Sequence, residues 1–127
     1  MEQTVKQWVE HAESDLKTAR ALVKSRRNVH ALFFCQQAVE KTLKAVFVFK
    51  KRKHPPRIHN LTRLAELAEL SLDPNRTRTL ARISSFYIQS RYPDEISKIV
   101  TTATAEETRR GLKETEEIVQ WLLSILS

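Results

Sequence analysis

At 127 residues the chain has the length of one domain and enough apolar side chains to bury a core, so residues 1–127 read as a single unit. Lys and Arg (22) outnumber Asp and Glu (15), giving a net charge of +7 that favours polyanions: nucleic acid, nucleotides or an acidic partner. The single Cys35 excludes an intrachain disulfide framework and a Cys-rich metal site, and it suits a reducing, cytoplasmic setting. One glycine, Gly111, leaves no Gly-rich loop to cradle a phosphate, and no cofactor is expected. The N-terminus shows no apolar signal region. The most apolar stretch, Ala31 to Phe49, carries Gln36, Gln37, Glu40, Lys41 and Lys44, too many polar groups for a membrane span.

Few breakers and abundant Ala, Leu, Glu, Lys and Arg predict helices, and five segments show helical spacing. The first runs from about Thr4 to Lys24, with Val5, Trp8, Val9, Ala12, Leu16, Ala19 and Val23 on one stripe and Thr4 and Gln7 as a capping box. The second, about Val29 to Lys51, is apolar around most of its girth and reads as the central helix. Lys50 to Lys53 end it, and His54-Pro55-Pro56 forces an extended loop. The third runs from about Asn60 to Ser71 with Leu61, Leu64, Ala65 and Ala68 inward. The fourth begins at Asp73-Pro74, a capping residue followed by Pro at the first helical position. It is expected to end at Arg91-Tyr92-Pro93, because Pro93 pushes Tyr92 out of the α region. A loop over Asp94 to Ala103 follows, then a last helix opened by Thr104 and Glu107 with Thr108, Leu112, Thr115, Val119, Leu122 and Leu126 inward. The fold expected is all-α, an antiparallel up-and-down bundle of four to five helices.

Chemistry concentrates in a few places. Arg91 is a fixed cation whose planar fork matches phosphate. Beside it Tyr92 could stack on a base, and Asp94 could orient Arg91 or accept from a sugar hydroxyl. The structural alternative has Arg91 capping helix carbonyls, Tyr92 packing and Asp94 pairing with Arg91. His59, just ahead of the third helix, is the candidate for proton transfer, or else a residue that ties that helix to a neighbouring loop. Gln37, Lys41 and Lys44 share a helical face, either solvated or turned to a ligand, and Glu40 to Lys44 is a favourable helix pair. No pair of His, Cys or acidic residues has metal-ligand spacing, and the basic runs lack the interleaved aromatics of a single-strand platform. Trp8 and Trp121 read as core or dimer contacts.

The segments Gln36 to Ala45 and Tyr87 to Asp94, in this order and with His59-Asn60-Leu61 between them, resemble the HEPN family (higher eukaryotes and prokaryotes nucleotide-binding). The resemblance covers nearly the whole chain. It implies a helical bundle that commonly forms a homodimer, with Arg91, Tyr92 and Asp94 at a nucleotide or RNA phosphate and Gln37, Lys41, Lys44 and His59 towards the groove. Many HEPN ribonucleases carry Arg, four to six residues, then His. Here Ile96, Ser97 and Lys98 fill that window, so only Arg91 matches and no catalytic residue is assigned. This fits a branch marked by Arg-Tyr-Pro and often encoded beside a minimal nucleotidyltransferase. The resemblance therefore implies a binding module of a two-component, toxin–antitoxin-like system. The rivals are a metal-independent endoribonuclease using Arg91 and His59, and a non-catalytic dimeric scaffold.

Overall fold

The computed structural model describes residues 2–127 and is built from six helices, with no strand among those residues. In chain order they are α1 (Glu2–Lys24), α2 (Asn28–Lys51), α3 (Leu61–Leu67), α4 (Pro74–Ser84), α5 (Pro93–Thr102) and α6 (Ala105–Ile125). The all-α bundle expected from the sequence is what forms.

The central position of α2 follows from its girth. Fifteen of its residues are buried, among them Ala38, Val39, Leu43 and Val46, and it packs against every other helix. Leu16 of α1, Leu61, Leu64 and Ala65 of α3, Leu80 and Ile83 of α4, and Ile118, Val119 and Leu122 of α6 complete one core. Burying each such Leu or Ile is worth about 1.5–3 kcal/mol.

With one glycine in the chain, other residues take the left-handed positions that end helices. Arg26 (φ 60°) closes α1: its N–H bonds Val23 O at 3.1 Å, and the next N–H, of Arg27, reaches Leu22 O at 2.9 Å. Glu69 (φ 57°) closes α3 in the same way, with its N–H on Glu66 O and that of Leu70 on Ala65 O. Both are Schellman closures, which satisfy otherwise orphaned carbonyls and repay the strain of a non-glycine αL residue.

Four local expectations change. Helix α1 starts at Glu2, which leaves Thr4 and Gln7 inside it and removes their capping role. Helix α3 ends at Leu67 rather than Ser71. Helix α4 ends at Ser84, not near Arg91. The segment expected as a loop after Asp94 is helix α5, which raises the element number to six. Pro93 stands at the start of α5, where its missing N–H costs nothing. Tyr92 before it is extended (φ −76°, ψ 158°) and serves as N-cap. Glu95 accepts the Tyr92 N–H at 3.2 Å, and Asp94 and Glu95 favour a helix N-terminus electrostatically. The Asp73 and Thr104 caps form, accepting the N–H groups of Arg76 and Glu107, and Asn60 stands just ahead of α3 as its N-cap, accepting the Arg63 N–H.

Candidate functional site

The connection between α4 and α5 folds back towards the start of α3, and between them lies an open cleft of about 460 Å³. His59, Asn60, Thr62, Ser84, Tyr87 and Arg91 are among the residues lining it. The Asn60 cap and a hydrogen bond from Leu61 N–H to Ser84 Oγ (3.1 Å) fix where α3 begins, and so place His59 beside the α4 end.

Arg91 sits in the connection, tied at three points. Its Nε donates to Tyr87 O at 2.8 Å, its Nη2 to Ser85 O at 3.2 Å, and its Nη1 faces Glu95 Oε2 at 3.3 Å. A guanidinium has five N–H donors, so two remain. The side chain both pins the loop and keeps one N–H on each Nη for an oxyanion. Glu95, not Asp94, is its carboxylate partner. Asp94 stands exposed in the first turn of α5, and Tyr92 is 74% exposed; neither lines the cleft.

His59 Nδ1 lies 2.9 Å from Glu40 Oε1, and its ring stacks on Tyr87 with centroids 4.3 Å apart and planes 14° apart. The His59 side chain is 48% exposed, while that of Glu40 is 5% exposed. Gln36, fully buried, donates its amide both to Glu40 Oε1 and to His59 O at 3.0 Å. Lys44 Nζ meets Glu40 Oε2 at 3.0 Å. Burial pushes the Glu40 carboxyl up. The hydrogen bonds from Gln36, His59 and Lys44, with the Lys44 charge, outweigh that and hold it below the ordinary value. Burial, and secondarily the Glu40 charge, push the Tyr87 hydroxyl up, so it stays neutral at physiological pH. An ionised Glu40 can only accept, so Nδ1 of His59 carries a proton and Nε2 is left as the free ring nitrogen.

The line of Gln37, Lys41 and Lys44 does not reach this cleft. Gln37 donates to Gln36 Oε1 at 2.7 Å, and Lys41 pairs with Asp15 of α1 at 2.5 Å. Lys44 is buried against Glu40 and lies 5.5 Å over the Trp8 ring. The geometry thus joins Arg91 and His59 and separates them from Tyr92, Asp94 and the two lysines. In the basic run at the α2 end, Lys50 and Lys51 are engaged by Glu69. In the window after Arg91, Ser97 donates to Pro93 O within α5. No group of three or more His, Cys, Asp or Glu side chains suited to a metal ion is assembled among the described residues. Sequence reasoning did not single out Gln36, Glu40 or Tyr87 as site residues. The available signal was a carboxylate and an amide set mid-helix among residues that otherwise bury.

No helix of the described residues is long and apolar enough to cross a membrane. No curated protein matches the chain. Two solved structures share its fold. The crystal structure of TT1696 from Thermus thermophilus superposes with a TM-score of 0.79 at 22% identity, over 95% of this chain and 97% of that one. The crystal structure of ST0689, described as an archaeal HEPN homologue, gives a TM-score of 0.76 at 22% identity over 97% and 98%. The sequence profile of the HEPN domain matches residues 5–126, essentially the full length of the chain, which therefore belongs to the HEPN domain family.

Proposed function

We propose that the cleft between α3 and the α4–α5 connection binds the phosphate of a nucleotide or RNA, as the module of a two-component system whose other member is a minimal nucleotidyltransferase. The observation that carries the reading is that Arg91 and His59, far apart in the chain, line one open cleft with donors to spare. The net charge of +7 supports a polyanionic ligand. The partner rests on the resemblance to the Arg-Tyr-Pro branch, carried here by Arg91, Tyr92 and Pro93. We assign the assembly as a homodimer in the cytoplasm. Support for the dimer comes from Phe49 and Val100, large apolar side chains left exposed on α2 and α5, and from α5 itself, which has no buried residue.

The test is calorimetric binding of adenosine 5′-monophosphate and of the dinucleotide adenylyl-(3′→5′)-adenosine, with adenosine as the phosphate-free control. Arg91→Ala is expected to weaken phosphate-dependent binding by about 10- to 150-fold, the equivalent of the ~1.5–3 kcal/mol carried by a charged hydrogen bond. Arg91→Lys recovers only part, because a point charge cannot reproduce the fork. Equal affinity for adenosine and its phosphate, or an unchanged Arg91→Ala variant, refutes the reading.

A second reading has one observation in its favour: the Glu40–His59 contact is an arrangement able to move a proton, as a metal-independent ribonuclease would need. RNA cleavage by the pure protein, abolished by His59→Ala and by Arg91→Ala, selects it.

A further inference from the structure

A phosphate clamp made of Arg91 and His59 needs no carboxylate, yet Glu40 is buried directly behind the imidazole. It is held there by three donors, none of them on a surface loop except the imidazole itself. Charged and titratable groups lie around His59 on α2, α3 and the α4–α5 connection. From α2 come Glu40, in contact, and Lys44 behind it. From the α4–α5 connection come Tyr87, stacked on the ring, and Arg91, which lines the same cleft. On α3, Arg63 is occupied by Glu66. Glu40 is the carboxylate in contact with the ring, and Arg91 is the cation that lines the same cleft.

We propose that Glu40 is the positioning residue of the cleft: it holds His59 with a proton on Nδ1, so that Nε2 faces the ligand and takes up a second proton from solvent when a phosphate binds. This rests on the phosphate-binding reading. Anion binding and proton uptake are then one linked event. Above the titration of the free ring, affinity falls roughly tenfold per pH unit, because only the protonated ring donates from both nitrogens. The Tyr87 stack keeps the ring plane fixed, so the proton changes the charge of the site without changing its shape.

The probe is adenylyl-(3′→5′)-adenosine, whose phosphodiester does not titrate between about pH 5 and 9. Calorimetry in two buffers of different ionisation enthalpy counts the protons taken up. Nitrogen NMR of His59 reads tautomer and titration in the same protein, with and without the dinucleotide. We expect the Nδ1–H tautomer in the free neutral ring, a titration moved to higher pH by the dinucleotide, and close to one proton taken up at pH 8. In Glu40→Gln fewer protons are taken up with the dinucleotide, because the ring loses its adjacent opposite charge. In His59→Gln the residual affinity is independent of pH. Because Glu40→Gln leaves Lys44 without its carboxylate and could fail to fold, the wild-type tautomer and proton count stand as an independent test. An Nε2–H tautomer in the wild type, or pH-independent binding, overturns the proposal. Absence of dinucleotide binding at every pH overturns both the phosphate reading and the proton linkage, and it is distinguished by the ligand-free spectra, which still report whether Glu40 holds the ring.

Discussion

Glu40 and Lys44 form a buried pair with unequal alternatives, and that inequality predicts an asymmetric response to mutation. Lys44, with a side chain 7% exposed, has one carboxylate partner at 3.0 Å and a Trp8 ring 5.5 Å away. Glu40 has three donors: Lys44, Gln36 and His59. Glu40→Leu therefore strands an ammonium in a nearly dry site, a loss of about 3–5 kcal/mol. Lys44→Met leaves Glu40 with two donors, one of which can take a second proton, and is expected to cost about 1.5–3 kcal/mol. The double variant replaces both charges with apolar groups and is expected within about 2 kcal/mol of wild type, so the two changes couple by at least ~2 kcal/mol. A domain of this size has about 5–15 kcal/mol to lose, so each variant is measurable. The assay is urea unfolding followed by helical circular dichroism. With a slope of about 1–3 kcal/mol/M, 3 kcal/mol shifts the midpoint by roughly 1–3 M. A Glu40→Leu cost below about 1 kcal/mol, a larger cost for Lys44→Met, or simple additivity would refute the reasoning.

Two further outcomes follow from the same interior. The folded Glu40 carboxyl lies below the ordinary value, near 4.3, that the unfolded chain presents. Its contribution is therefore complete above about pH 5 and is lost as pH falls through 4 towards the folded value; urea midpoints from pH 6 to 3 should fall less steeply in the Glu40→Leu/Lys44→Met double variant than in wild type. Gly111 lies inside α6 with an ideal Cβ only 2.8 Å from Leu32 Cδ2, so Gly111→Ala gains about 1 kcal/mol in helix propensity while forcing a buried leucine aside at about 1–3 kcal/mol, a net loss on the order of 1 kcal/mol that would be contradicted by a raised melting temperature.

The bundle is legible in the sequence because its signals are local and redundant. Leu61, Leu64, Ala65 and Ala68 recur at helical spacing and are all buried, and Asp73 before Pro74 both caps and starts α4. Pro93 is harder. A proline fixes the residue before it as extended and so marks a helix boundary, but that constraint is the same whether a helix stops there or starts. The tie-breakers are Asp94 and Glu95 in the first turn and Ile96, Ile99 and Val100 at helical spacing. Reading Pro93 as an end places Arg91 on α4, where it would compete for the last-turn carbonyls. As part of a connection it bonds the carbonyls of Ser85 and Tyr87 instead, and so holds the loop against α4.

The site is legible only as residue types. Arg91 and His59 stand out because their chemistry is uncommon at a helix boundary, but their meeting depends on where α3 begins and how the α4–α5 connection returns. Those positions are fixed by the Ser84 hydroxyl on the Leu61 N–H and by the Arg91 bonds to the Ser85 and Tyr87 carbonyls, contacts with no periodic signature. The lysine line misleads for a related reason. Spacing of three to four puts Gln37, Lys41 and Lys44 on one face of α2, but a helix packed on most sides has no outside to which that face must turn. Lys41 consequently meets Asp15 of α1, and Lys44 turns to Glu40. A buried lysine requires an anion within reach, and the anion is the group that holds His59. The packing solution for one charge thus became the electrostatic environment of the other, which places Glu40 at the junction between the core and the cleft.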